Sequence, residues 1–351
     1  MPVPPEVAFD RFFQEQCPYK PPVRPEDPDP RLYRGRDALS GLQPILERQL
    51  RLFQHTFNEA LRNEKRNVPE HVDHPPFHVD YVDSSIDNAL AFRYEGYSFI
   101  GITVPLIYTL SQVCLRLSTS ETVARVLGVE PSNEEYNLLQ AVFNMVISFV
   151  VTHEWTHHVH GHLEHSENIF PHEVLDTGCN GDLAGQVKEL AADGYSVYHA
   201  LANFIDGDGR SMLRLIGLDS EQANIQDRVL FDLFVIAVGA YLFVRPAPEL
   251  SQVDVFTLTH PPQAVRMNFV MLEAMGWCKQ NRPELQAWMT ATRFQQLMNA
   301  ATRATLGMSG GQVWGRQAAF MNSERGTEYM RALAEGIDAN RQSLMAIGVE
   351  P

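Results

Sequence analysis

The apolar run Val142 to Val151 leads at helical spacing straight into His153-Glu154-Trp155-Thr156-His157. This junction limits the possible folds more than any other feature of the chain. A helix that is apolar on most of its surface is buried, and buried imidazoles and carboxylates need partners. Histidines four apart share one face of a helix, so both rings can meet one cation. Glu154 is turned about 100° from His153 around the axis and can reach a water at that cation. The other reading is a solvated histidine pair on a polar helix face, and the apolar approach to the motif argues against it.

His-Glu-x-x-His on a helix is the spacing at which zinc hydrolases hold their metal and place a general base beside it. Such a site needs a third protein ligand. The metzincin arrangement fails, because His160 stands where its glycine belongs and Leu163 where its third histidine belongs. Glu189, in Lys188-Glu189-Leu190-Ala191-Ala192-Asp193, is the better candidate. Asp193 lies one turn further on the same face of an expected second helix, so one carboxylate can bind the metal while the other accepts a hydrogen bond from a ligand imidazole. Glu164, Glu167 and Glu173 compete for the third position, with Glu164 on the histidine helix and directed away from the metal. The surplus histidines His158, His160, His162 and His165 read as exposed or capping groups near a helix end, since a continued helix would turn His162 about 140° away from His157.

The charge balance narrows the partners. A formal net charge of −15 over 351 residues disfavours nucleic acid or an anionic membrane surface as the main partner, because both would repel the chain. Cys17, Cys114, Cys179 and Cys278 form no Cys-x-x-Cys pair, so neither a disulfide framework nor a thiolate zinc site is indicated. A reducing compartment fits that usage. Met1 to Pro5 lacks the basic and apolar segments of a secretory signal, and the expected location is the cytoplasm. The run Val229 to Val244 contains Asp232 and falls short of the ~20 residues needed to span a bilayer. It reads as a buried helix, with a membrane-resting hairpin as the runner-up, and no stable membrane insertion is expected.

Along the chain, residues 1–35 are rich in proline and charge and read as an N-terminal arm outside the core. Residues 36–280 form the expected main domain and 281–351 a helical extension packed on it. Leu42, Ile45, Leu50, Leu52 and Phe53 recur at helical spacing within 38–63. Between Phe77 and Thr103, β-branched and aromatic residues broken by turn formers predict strands at 77–82, 89–94 and 97–103. Ser132-Asn133-Glu134-Glu135 supplies capping chemistry for the histidine helix, a second helix starts near Gln186, and Gly307 to Gly311 reads as a flexible joint. The expected fold is α+β and mostly helical, with a small sheet.

Four segments in order resemble the M48 family of gluzincin zinc peptidases: Asn88-Ala89-Leu90-Ala91 with the strand Phe99 to Ile102, the His-Glu-x-x-His helix, Glu189-Leu190-Ala191-Ala192-Asp193, and Thr259-His260-Pro261-Pro262 with Arg266. The resemblance covers about residues 75–275. It implies a zincin-like catalytic domain with one zinc per chain held by His153, His157 and Glu189, and a polypeptide substrate paired along the strand at Asn88 and Ala89. The sequence departs from the family where Phe92-Arg93-Tyr94-Glu95-Gly96 replaces a compact Pro-Gly-Gly turn and where convincing transmembrane segments are missing, so a prenylated substrate is not implied. There is a weaker similarity to the Lit-type phage-exclusion peptidases.

The expected activity is that of a zinc metalloendopeptidase with Glu154 as general base. The alternatives are a catalytically silent zincin-fold binding protein and a zinc hydrolase of a non-peptide amide. His260 has three readings: a donor to the developing oxyanion, a cap on the resting zinc, or a cap for the helix beginning near Pro262. Asn88 is equally readable as a turn residue bonded to its own backbone. The sequence does not specify an oligomeric state.

Overall fold

In a computed structural model of the chain, the residues described are 3–15, 39, 44–64, 75–83, 87–129, 135–163, 181–207, 209–213, 216, 218, 222–245 and 248–346. Among them the chain is mostly helical with one three-stranded sheet, the α+β character expected from its patterning. They divide into two compact units. One holds the described residues of 1–109 and 154–176, and the other those of 110–153 and 177–347.

In the first unit the strands are β1 (Phe77–Val82), β2 (Ala89–Tyr94) and β3 (Tyr97–Thr103), at the positions the sequence predicts. Their order is β1-β3-β2, with β1 parallel and β2 antiparallel to β3. The β2–β3 turn places Glu95 at φ 47° and Gly96 at φ 80°, the two left-handed residues that a tight hairpin needs to match the twist of its strands. Helix α2 (Pro44–Glu64) closes the outer edge of β1, where Asn58 exchanges hydrogen bonds with both backbone groups of Val79 at 2.7 and 3.1 Å. An edge satisfied in this way cannot recruit a further strand.

One expectation is corrected here. Within the presumed arm of residues 1–35, helix α1 (Pro5–Glu15) belongs to the core, and the rest of that segment, 16–35, lies outside the described residues. Phe9, Phe12 and Phe13 are buried with Val82, Leu90, Phe92 and Phe99. Phe12 stacks on Phe92 with ring centroids 3.9 Å apart, and Phe9 meets Phe99 edge-on at 5.4 Å. The proline-rich composition hides an apolar stripe that has no use until a sheet face is there to receive it. Phe12→Ala is expected to destabilise the protein by about 3–5 kcal/mol through the lost transfer energy and the cavity left behind. Urea denaturation of the variant checks this, and a loss below about 1 kcal/mol would return the helix to the periphery.

The second unit takes its core from residues 110–118 of α3 (Val104–Ser118) and from α4 (Glu121–Leu127), α6 (Leu183–Leu201), α7 (Arg210–Leu213), α8 (Ala223–Val244) and α9 (Gln263–Asn281). Helices α10 (Pro283–Trp288), α11 (Ala291–Leu306), α12 (Gly310–Met321) and α13 (Glu324–Ala346) belong to the same unit. The apolar run of α8 is a buried helix, as its interruption by a charge suggests. Asp232 inside it receives hydrogen bonds from Trp288 Nε1 at 3.1 Å and from the Arg293 guanidinium, and the guanidinium groups of Arg228 and Arg293 lie over the Trp288 ring. The stretch Gly307 to Gly311, expected as a flexible joint, is a tight corner. Gly307 at φ 68° ends α11, and a Cβ on Gly310 would fall 2.1 Å from the Thr302 carbonyl. Cys114 and Cys278 are buried free thiols, while Cys17 and Cys179 lie outside the described residues.

Candidate metal centre

Helix α5 (Glu135–Val159) carries the His-Glu-x-x-His motif in its last two turns. Within it, Leu138–Val159 is long and apolar enough by composition to cross a membrane, and 72% of that window is buried inside the protein. Val142, Met145, Val146, Phe149 and Val150 are buried, so the motif emerges from packed protein rather than from a solvated helix face. His153, Glu154 and His157 are 5, 2 and 4% exposed.

One ligand atom each from His153, His157 and Glu189 lies within 4.8 Å of the others, and all three residues are buried. Two imidazoles and a carboxylate converging in this way form a group that can hold a metal ion. Glu189 is on α6, which starts where Asp182 accepts a hydrogen bond from Gly185 N. Its Oε2 is 3.2 Å from His153 Nε2. The opposite ring nitrogen, His153 Nδ1, lies 3.0 Å from Asp193 Oδ1, so the two carboxylates one turn apart on α6 address the two sides of one imidazole. Asp193 is fully buried and is gripped by Arg266 of α9 through two bonds of 2.7 and 2.8 Å.

These charges set each other's protonation. Burial alone would raise the Asp193 pKa, but Arg266 and His153 outweigh it and hold the carboxyl below its ordinary value. Burial disfavours the charged His153 ring, yet Asp193 and Glu189 outweigh that in turn and hold its pKa well above the usual imidazole value.

His260 stands beside this group, with Nε2 3.5 Å from Glu189 Oε2. The N-cap residue of α9 is Pro262, which makes no side-chain cap bond, and the first turn is satisfied instead by Gln317, whose Oε1 accepts from Ala264 N at 2.8 Å. The segment bearing His260 is tied to α6 by Gln186, whose Nε2 donates to the carbonyls of Val255 at 2.9 Å and Leu258 at 2.7 Å. Tyr329 of α13 donates in turn to Gln186 Oε1. Gly181 N donates to Thr257 O, and a Cβ at 181 would collide with the Leu258 backbone at 2.2 Å. None of these tethers has a sequence motif that announces it.

Asn88 immediately precedes β2 and is fully buried. Its backbone pairs with Thr103 through Thr103 N to Asn88 O and Asn88 N to Thr103 Oγ1, while neither atom of its side-chain amide has a hydrogen-bond partner. Ala89 opens β2 opposite Ile102. With Asn88 and Thr103 hydrogen-bonded, antiparallel alternation turns the backbone groups of Ala89, Ala91 and Arg93 away from β3.

The surplus histidines depart from the sequence-based expectation. His158, His160 and His162 are buried, not exposed. His158 Nε2 donates to the Phe99 carbonyl at 2.8 Å, and His162 Nδ1 is 3.0 Å from His157 Nδ1. The helical extrapolation to His162 fails because Gly161 adopts φ 67° and turns the chain back. A glycine just beyond a helical run could have flagged that reversal. Glu164, Glu167, Glu173 and His165 lie outside the described residues.

Comparison of the chain with protein-family models, with curated proteins and with solved structures returns no match.

Proposed function

We propose that the chain is a zinc-dependent metalloendopeptidase with a zincin-like catalytic domain. The observation that carries this reading is the buried convergence of His153, His157 and Glu189 next to a buried Glu154. Two histidines and one carboxylate are a donor set that zinc accepts while keeping a position open. One zinc per chain, bound there, would supply a Lewis acid that polarises a carbonyl and lowers the pKa of water.

The protein's own groups account for the rest of the chemistry. Glu154 accepts the proton of the attacking water and delivers it to the leaving amine. Asp193, anchored by Arg266, keeps the His153 ring oriented with Nε2 toward Glu189. The outward backbone groups of β2 offer donors and acceptors to the main chain of an extended polypeptide. A catalytically silent zincin-fold binding protein is the rival. A buried glutamate beside the ligands argues against it, because a structural zinc has no use for a general base.

Incubation of the purified protein with denatured casein and a peptide library, with and without chelator, tests the proposal. Cleavage that chelator abolishes and zinc restores is the expected result, and zinc binding without cleavage of any peptide would favour the binding protein. His260→Ala is expected to lower kcat by about 10²-fold, the value of one donor to a developing oxyanion, with metal content and Tm unchanged. Raised activity would make His260 a cap on the resting site, and unchanged kinetics would assign it to structure.

A further inference from the structure

The hydrogen bonds that end α5 place His162 on a metal ligand. Gly161 N donates to His158 O and His162 N donates to His157 O, at 3.3 and 3.0 Å, with Gly161 in the left-handed region at φ 67°. That pair of bonds is the Schellman closure, in which the residue after the left-handed position folds back over the residue five before it. Such turns usually bring two apolar side chains together. Here they bring together two imidazoles, His157 Nδ1 and His162 Nδ1, 3.0 Å apart and both buried.

Two ring nitrogens at that distance share one hydrogen, so one donates and the other accepts. A His157 ring with Nδ1 engaged has only Nε2 left for a cation. We infer that His162 is a positioning residue for the metal site: its unprotonated Nδ1 accepts the Nδ1–H of His157, fixing that ring's tautomer and aiming its Nε2 at the cation. His153 and His157 are then oriented by unlike partners, a carboxylate held by Arg266 and a neutral imidazole held by a glycine turn. Gly161 belongs to the same device, since a side chain there would resist the φ that brings His162 round.

The inference rests on the metal-site reading above, and the test separates the two. Zinc affinity of the full-length protein is measured by competition with a chromophoric chelator, for the wild type, His162→Ala and His162→Asn. The amide oxygen of asparagine can occupy the position of the histidine Nδ1 and accept the same hydrogen. Zinc affinity is expected to fall roughly 10- to 100-fold in His162→Ala and to recover most of that loss in His162→Asn, with the d–d spectrum of the cobalt-substituted protein perturbed in the alanine variant and restored in the asparagine one. A wild type that binds no zinc would overturn the metal site itself. A His162→Ala variant that binds zinc as tightly as the wild type, or an asparagine variant as weak as the alanine one, would overturn only the role of His162. If the variants do not fold, 15N-histidine spectra of the zinc-loaded wild type decide. A proton on His157 Nδ1 with His162 Nδ1 bare supports the assignment, and a protonated His162 Nδ1 overturns it.

Discussion

Glu154→Gln is expected to fold, to bind zinc in the wild-type ratio, and to lose peptide-bond hydrolysis by about 10²- to 10⁴-fold, the range a positioned general base contributes. The substitution exchanges one oxygen for an amide nitrogen at a residue that is 2% exposed, so packing is kept. The amide can still hydrogen-bond a water but cannot take its proton. Steady-state kinetics on a peptide that the wild type cleaves, with zinc content measured on the same samples, gives the answer. Undiminished turnover would remove Glu154 from the mechanism and leave the site with a different base.

The second large effect is expected at Glu189. Glu189→Ala removes the only carboxylate of the three-residue group, and its zinc affinity should fall by more than the roughly 100-fold that marks the loss of a group behind a ligand. The same carboxylate faces both His153 Nε2 and His260 Nε2, so its removal also leaves two imidazoles without their shared anion. Equilibrium dialysis of the variant beside Lys188→Ala, its neighbour in sequence, separates loss of a ligand from a general disturbance of the helix. Retention of full zinc by Glu189→Ala together with its loss in Glu173→Ala would move the third ligand to Glu173.

Both predictions concern residues that are legible in the sequence. The placement of His153, Glu154 and His157 follows from helix geometry alone, because residues four apart share a face wherever the helix lies. Glu189 and Asp193 are legible for the same reason, as two carboxylates one turn apart. The three strands are readable from β-branched runs separated by turn residues, and α8 from an apolar stretch too short to span a bilayer. Each is a local property, decided within a few residues of chain.

What only the tertiary structure decided is where a local property meets a remote partner. The stripe of Phe9, Phe12 and Phe13 is short and set among prolines, and an isolated helix of that length is marginal in water; the faces of Phe92 and Phe99 stabilise it. Arg266 could have been an exposed residue on the first turns of its helix, and it became the anchor of Asp193 because a fully buried carboxylate requires a cation within reach. Gln186 carries no motif, yet it ties the His260 segment because two carbonyls there would otherwise be unpaired. At His162 the sequence contained the decisive residue, Gly161, but extrapolating a regular helix through it sends the ring the wrong way. The sequence by itself determined which groups share a helix face, since bond geometry enforces that everywhere. The tertiary structure decided which of them are buried, partnered and aimed, since burial makes an unpaired polar group costly and selects the one arrangement in which each finds its partner.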